Sequence, residues 1–167
     1  MKLRKILISV LLVVAMCASM LTFFSCGGNK VAPEFVMPEN GFDTSKKVTI
    51  TFYHTMGANL REVLDAYIAE FNKLYPNITI EHEQVGSYDD VRKTISTEIT
   101  VGNQPNIAYC YPDHVALYNV AGAVQTLDAL IASEYGFSAE QKTDFIPGYY
   151  NEGKQFGDGK MYTLPLS

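Results

Sequence analysis

Three short stretches of the 167-residue chain concentrate side chains able to grip a polar molecule: "YHT" at residues 53–55, "SYDD" at 87–90 and "YPDH" at 111–114. His54 and Thr55 bring a ring nitrogen and a hydroxyl, Tyr88 and Asp89 a phenol and a carboxylate, and Tyr111, Asp113 and His114 a second set of the same kind. Hydroxyls and carboxylates exchange hydrogen bonds with a polyhydroxyl compound, while an aromatic face accepts the C–H side of its ring. That is a chemistry of recognition. Bond-breaking chemistry has weaker support, because the chain has no GxSxG elbow, no HExxH and no phosphate-binding glycine loop. A secreted hydrolase using His114 or Asp113 is the competing class. His54, His82 and His114 share no helical metal spacing, and nothing in the pattern asks for a metal or cofactor. Each residue also has a plainer reading: His54 as a loop residue, Tyr88 as cover for a helix end, Asp113 as a first-turn acid after Pro112, and Cys110 as core.

The elements that must position these residues alternate. Val48, Ile50 and Phe52 interleave with Thr49, Thr51 and Tyr53 in the period-2 pattern of a strand that Gly57 breaks. Leu60, Val63, Leu64, Tyr67, Ile68, Phe71, Leu74 and Tyr75 then recur at spacings of three and four, predicting a helix that Asn59 and Glu62 cap and Pro76 ends. "NITIEHEQV" predicts a second strand, and a right-handed crossover makes the pair parallel. Ser87 with Asp90 caps a helix carried by Val91, Ile95 and Ile99 as far as Gly102, and "PNIAYCY" predicts a short third strand. Pro112 opens a helix that stops at Gly122, "TLDALI" and "SAEQKTDFIPGYYNEGKQF" supply further helical pieces, and Met161 to Leu166 reads as a last strand after the Asp158–Gly159 turn. The fold class is α/β, with a mainly parallel sheet flanked by helices. Its ligand crevice lies beyond the carboxyl ends of the strands, where the three stretches gather.

Ahead of this domain, Lys2, Arg4 and Lys5 precede an apolar run from Ile6 to Phe24, the pattern of an export signal. The run closes on "LTFFSCGGNK", which resembles a bacterial lipoprotein signal: residues 1–25 are removed and Cys26 takes the lipid, although Phe23 and Phe24 replace the usual leucine and small residue. An uncleaved membrane helix is the alternative, and either one tethers the chain outside the membrane. Residues 26–47, rich in Gly, Pro, Asn and charge, read as a flexible tether. With Cys17 in the signal and Cys26 taking the lipid, Cys110 is the one thiol left in the mature chain, so the fold holds without an internal disulfide. Losing the signal leaves ten basic against eighteen acidic residues, a net charge of −8, which argues against nucleic acid or an anionic membrane surface as partner.

"ITFYHTMG", "EFNKLYPNITIE", "GNQPNIAYCYPDHVALYNVAGAVQTLDALI" and "FIPGYYNEGKQFGDGKMYTLPLS" follow one another in an order that resembles the N-terminal part of the family 1 extracellular solute-binding proteins of ABC importers, the sugar-binding and glycerol-3-phosphate-binding members especially. The likeness runs from about Lys47 to Ser167. It implies a periplasmic-binding-protein-like architecture of two lobes closing on a ligand, with residues 48–167 as an incomplete N-terminal lobe that ends before the second. It also implies delivery of the ligand to ABC permease subunits by a lipid-anchored protein on the outer side of the membrane. His54 and Thr55 match the family's loop after the first strand, Tyr88 and Asp89 its tyrosine–acid pair, and Tyr111 and Asp113 lie in a segment lining the cleft. Ser167 stands where "YTLPL" leads into the hinge and completes the implied ligand set. Tyr53 departs from the tryptophan many members carry, and the chain has no tryptophan at all. A carbohydrate is the expected ligand; glycerol-3-phosphate or a glycerophosphodiester is the alternative, with Arg92 and Lys93 the cations nearest in sequence.

Overall fold

The computed structural model describes residues 34–166. The expected signal, Cys26 and Ser167 therefore lie outside the described residues. Strand β1 (Val48–His54) is followed by helix α1 (Ala58–Leu74), strand β2 (Ile78–Gln84), helix α2 (Tyr88–Ile99) and the short strand β3 (Ile107–Ala108). Four further helices complete the described chain: α3 (Pro112–Val120), α4 (Asp128–Ala132), α5 (Ala139–Asp144) and α6 (Pro147–Glu152).

The sheet is parallel, in the order β2-β1-β3. β1 pairs with β2 over its whole length, from Val48 opposite Ile78 to His54 opposite Gln84, and with β3 at Phe52–Ile107 and Tyr53–Ala108. The chain thus steps from β1 outward to β2 and then back past β1 to β3, so right-handed crossovers place α1 and α2 on opposite faces. Side chains show this directly. Tyr53 donates its hydroxyl to Glu98 of α2, whereas His54, the next residue, turns to the other face and meets His82, which is bonded to Asp65 of α1. The α2 face carries a compact core of Val91, Ile95 and Tyr118, with Tyr53, Val85, Ile99, Ala108, Cys110 and Val124 packed against it.

Several expectations are corrected. The third strand is two residues long rather than seven. Pro105 has no N–H, and the Asn106 side chain accepts from both the N–H and the hydroxyl of Thr51, so side-chain bonds replace the ladder before Ile107. Asn59 and Glu62 do not cap α1: Gly57 is the N-cap and makes no side-chain bond, which leaves Asn59 inside the first turn. The apolar stripe of α1 is wider than the sheet beneath it. Leu64, Ile68 and Phe71 are half-buried, while Leu60, Val63, Tyr67 and Leu74 are exposed. Residues 161–166 form no strand either. The Met161 N–H goes to an Asp128 carboxylate oxygen and its carbonyl to the Leu127 N–H, the Tyr162 N–H goes to Gly153, and Pro165 could not donate to a ladder. Residues 34–47 contain no helix or strand, but they are in contact with the domain: Phe42 meets Tyr135 edge-on at 4.9 Å, and Lys160 pairs with Glu34 at 3.6 Å.

As expected, Ser87 and Asp90 form a complete capping box and Pro112 opens α3. Pro147 and Gly148, expected to interrupt the last helical stretch, instead open α6, where a proline in the first turn needs no N–H partner, and the break falls at residues 145–146.

Candidate functional site

Loops 55–57, 85–87 and 109–111 leave the carboxyl ends of β1, β2 and β3 side by side. Between β1 and β3 the chain reverses its direction across the sheet, the place where parallel α/β sheets open a ligand crevice. Gly86 makes the second loop possible. Its φ of +99° is open to glycine, and a Cβ there would lie 2.9 Å from Asp90 Oδ2, the atom that accepts from the Ser87 N–H and hydroxyl to start α2.

The crevice is walled by aromatics. Tyr88, the first residue of α2, and Tyr111, the N-cap of α3, stack with ring centroids 4.4 Å apart and planes 28° from parallel. Tyr111 is half exposed, at 52 %. His114 supports it edge-on at 5.5 Å and is itself buried, with Nδ1 lacking a partner. Tyr109, which sequence reasoning left unused, lies on the α1 face with its ring 5.2 Å from Phe52 and its hydroxyl against Met56 Sδ at 4.0 Å. Its phenol is pushed up by burial and by nearby Tyr88. The alternation of Tyr109, Cys110 and Tyr111 was its only trace in the sequence.

The acids of the site differ. Asp89 is held down to about 2 by hydrogen bonds from Lys93 and then Arg92, and each of its oxygens is engaged by one of those cations. Asp113 is exposed, with His114 Nε2 at 3.9 Å. Thr55 is half-buried at the mouth of the β1 loop. Cys110 has its thiol pushed up to about 11 by burial and then by Asp113, as suits a core residue.

His54 does not reach the crevice. It is fully buried, its Nδ1 accepts from the Met56 N–H at 3.1 Å, and its Nε2 lies 2.9 Å from His82 Nδ1. His82 Nε2 in turn meets Asp65 Oδ1 at 2.8 Å. The sequence gives no sign of this chain of contacts, because its members are 17 and 28 residues apart. Among the described residues no group of three or more His, Cys, Asp or Glu side chains is arranged to hold a metal, and no helix is long and apolar enough to cross a membrane.

Solved structures share this fold. An extracellular solute-binding protein family 1 member from Alicyclobacillus acidocaldarius matches 74 % of the chain at 28 % identity with a TM-score of 0.59, over 29 % of its own length. The maltose/maltodextrin-binding domain MalE of Bdellovibrio bacteriovorus, bound to maltotriose, matches 70 % at 25 % identity and TM-score 0.55, over 27 % of its length. An ABC substrate-binding protein from Listeria monocytogenes in complex with cycloalternan shares the fold, at 24 % identity and TM-score 0.58, with 70 % of the chain and 28 % of its own covered. The chain thus spans under a third of the length of these structures. Among curated proteins there is no match. Residues 57–167 match the family described as bacterial extracellular solute-binding protein, whose members act outside the cytoplasm. With two thirds of its length in that match and a fold shared with a solved family 1 member, the chain belongs to the bacterial extracellular solute-binding protein family.

Proposed function

We propose that the chain is one lobe of a binding protein that captures a carbohydrate and presents it to the permease of an ABC importer, anchored through lipid on Cys26. The observation that carries the carbohydrate reading is the Tyr88–Tyr111 stack at the carboxyl edge of the sheet, with Tyr111 half exposed and the exposed Asp113 carboxylate two residues further along the chain. An aromatic face beside hydrogen-bonding groups suits the two sides of a sugar ring. The maltotriose bound by the Bdellovibrio domain supports the same class.

A phosphorylated ligand is less well served. Arg92 and Lys93, the expected cations, are both committed to Asp89, and the first turn of α2 is already occupied by Asp89 and Asp90. A phosphate would have to displace a carboxylate or face it.

A thermal-shift panel of maltotriose, mannotriose and glycerol-3-phosphate tests the ranking. Stabilisation by a trisaccharide is the expected result; stabilisation by glycerol-3-phosphate alone would reverse it. Labelling cells with a palmitate analogue tests the anchor: the label should mark the wild-type chain and be absent from Cys26→Ala.

A further inference from the structure

The Met56–His54–His82–Asp65 contacts have one allowed hydrogen-bond direction. Because the Met56 N–H can only donate, His54 Nδ1 is bare and its proton sits on Nε2. That proton points at His82 Nδ1, which must also be bare, so the His82 proton is on Nε2 and faces the Asp65 carboxylate. Both rings are therefore neutral, and both bare nitrogens are already in use. One added proton has no free place to go.

We propose that the His54–His82–Asp65 chain is a proton-operated latch on the loop after β1, closed when both imidazoles are neutral and released when the pair takes up one proton. Asp65 is exposed at 64 % and His82 at 18 %, so the proton enters from solvent through the outer end of the chain, and the Asp65 carboxylate holds the imidazolium on His82. His82 then presents an N–H at Nδ1. To accept it, His54 moves its own proton from Nε2 to Nδ1, which sets two donors against each other at Met56; if His54 keeps its proton, the same clash falls between the two rings. Either way one bond of the chain is lost, and no covalent change beyond proton transfer is involved.

The groups facing His54 are His82 from β2, Arg61 and Asp65 from α1, and the Tyr109 ring beyond β3. Burial, then His82 and Arg61, pull the His54 imidazole below its ordinary value, with Asp65 opposing them. An unfolded His54 takes up a proton near pH 6.5 and the folded, buried His54 only at lower pH, so its place in the closed latch stabilises the fold above about 6.5 and that contribution is lost progressively below it.

The loop it holds carries Thr55 and Met56, at the mouth of the crevice. Acid should therefore loosen one wall of the ligand site, a consequence that rests on the carbohydrate-site reading above, whereas the release itself does not. Imidazole nitrogen shifts and amide hydrogen exchange on the full chain, without sugar, test the release. At pH 7.5 both rings should carry their proton on Nε2. Between pH 7.5 and 5, exchange at Met56, corrected for its intrinsic pH dependence, should quicken at least tenfold in step with the histidine titration. Asp65→Asn keeps an acceptor for His82 but removes the charge that holds the imidazolium, so both transitions should move together to lower pH. Met56 protection that is constant through the titration, or lost only together with the amides of β1, overturns the proposal, as does an unmoved midpoint in Asp65→Asn. Maltotriose is titrated separately at pH 7.5: failure to bind counts against the carbohydrate reading and leaves the exchange result as it stands.

Discussion

The rings of Tyr88 and Tyr111 lie 4.4 Å apart across the gap between the start of α2 and the start of α3, joining two helices that otherwise meet near their middles at Val91, Ile95 and Tyr118. The stack is therefore a structural clamp as well as the proposed ligand platform, and substitution separates the two roles. Tyr111→Ala removes the exposed face and should weaken maltotriose binding about tenfold, the upper range for one aromatic contact. Tyr111→Phe keeps the face and should bind within roughly threefold of wild type. Calorimetry on the three proteins checks this, and equal loss in both variants would point to the hydroxyl instead.

Tyr53 and Glu98 form a second cross-element pair. The phenol hydroxyl donates to Glu98 Oε1 at 3.1 Å, while Oε2 is already buried without a partner. Tyr53→Phe leaves both oxygens without a protein donor and should cost about 1–3 kcal/mol. Adding Glu98→Met replaces the unpaired carboxylate with an apolar group of similar length and should recover most of the loss. Urea unfolding of the single and double variants is the measurement; a Tyr53→Phe protein as stable as wild type would show that water already satisfies this carboxylate.

What the sequence made legible follows from how local each signal is. The capping box at Ser87 and Asp90 and the Pro112 start each depend on residues within one turn, and both stand in the structure. The parallel crossover was readable because element lengths fix it. Features that depend on distant partners were not. β3 shrank because Asn106 bonds to Thr51, 55 residues away, and residues 161–166 left the sheet because Asp128, Leu127 and Gly153 take the backbone bonds of Met161 and Tyr162. At the site, Tyr88, Tyr111 and Asp113 are found at the crevice. His54 is directed away from it, since a strand alternates faces and the residue after Tyr53 must point towards α1. Asp89 sits at the right place, but its charge is spent along its own helix on residues three and four positions on.

That engagement of Asp89 predicts an acid response. Its carboxyl is held to about 2, by Lys93 first and Arg92 second, against an unfolded value near 4. A depressed carboxyl stabilises the fold fully above the unfolded value and loses that contribution as pH falls toward the folded one. In low salt the melting temperature should therefore fall between about pH 4 and 2, and Asp89→Asn should show a flatter slope over the same window. The pair is exposed, so the difference at neutral pH should be small and should shrink further in added salt. Parallel slopes for the two proteins would mean that other carboxylates set the acid limit.

Gly153 and Gly148 allow the clearest comparison within a single helix. Both belong to the α6 region, Gly148 within the helix and Gly153 as its C-cap. A Cβ at Gly148 meets nothing within 4 Å, so Gly148→Ala should leave the fold unchanged or stabilise it by about 0.5–1 kcal/mol through helix propensity. A Cβ at Gly153 would collide with the Thr163 carbonyl oxygen and lie 2.6 Å from Met161 Sδ. The thioether could turn aside, but the carbonyl is backbone in a segment fixed at Met161 by Asp128 and Leu127 and at Tyr162 by Gly153 itself. Met161 is also among the most deeply buried side chains, which leaves little room for that segment to retreat. Gly153→Ala should accordingly cost about 1–3 kcal/mol, the range for overpacking a filled site. Chemical unfolding of the two variants side by side reads the contrast. If Gly153→Ala were as stable as Gly148→Ala, residues 161–163 would not be held against α6 in solution.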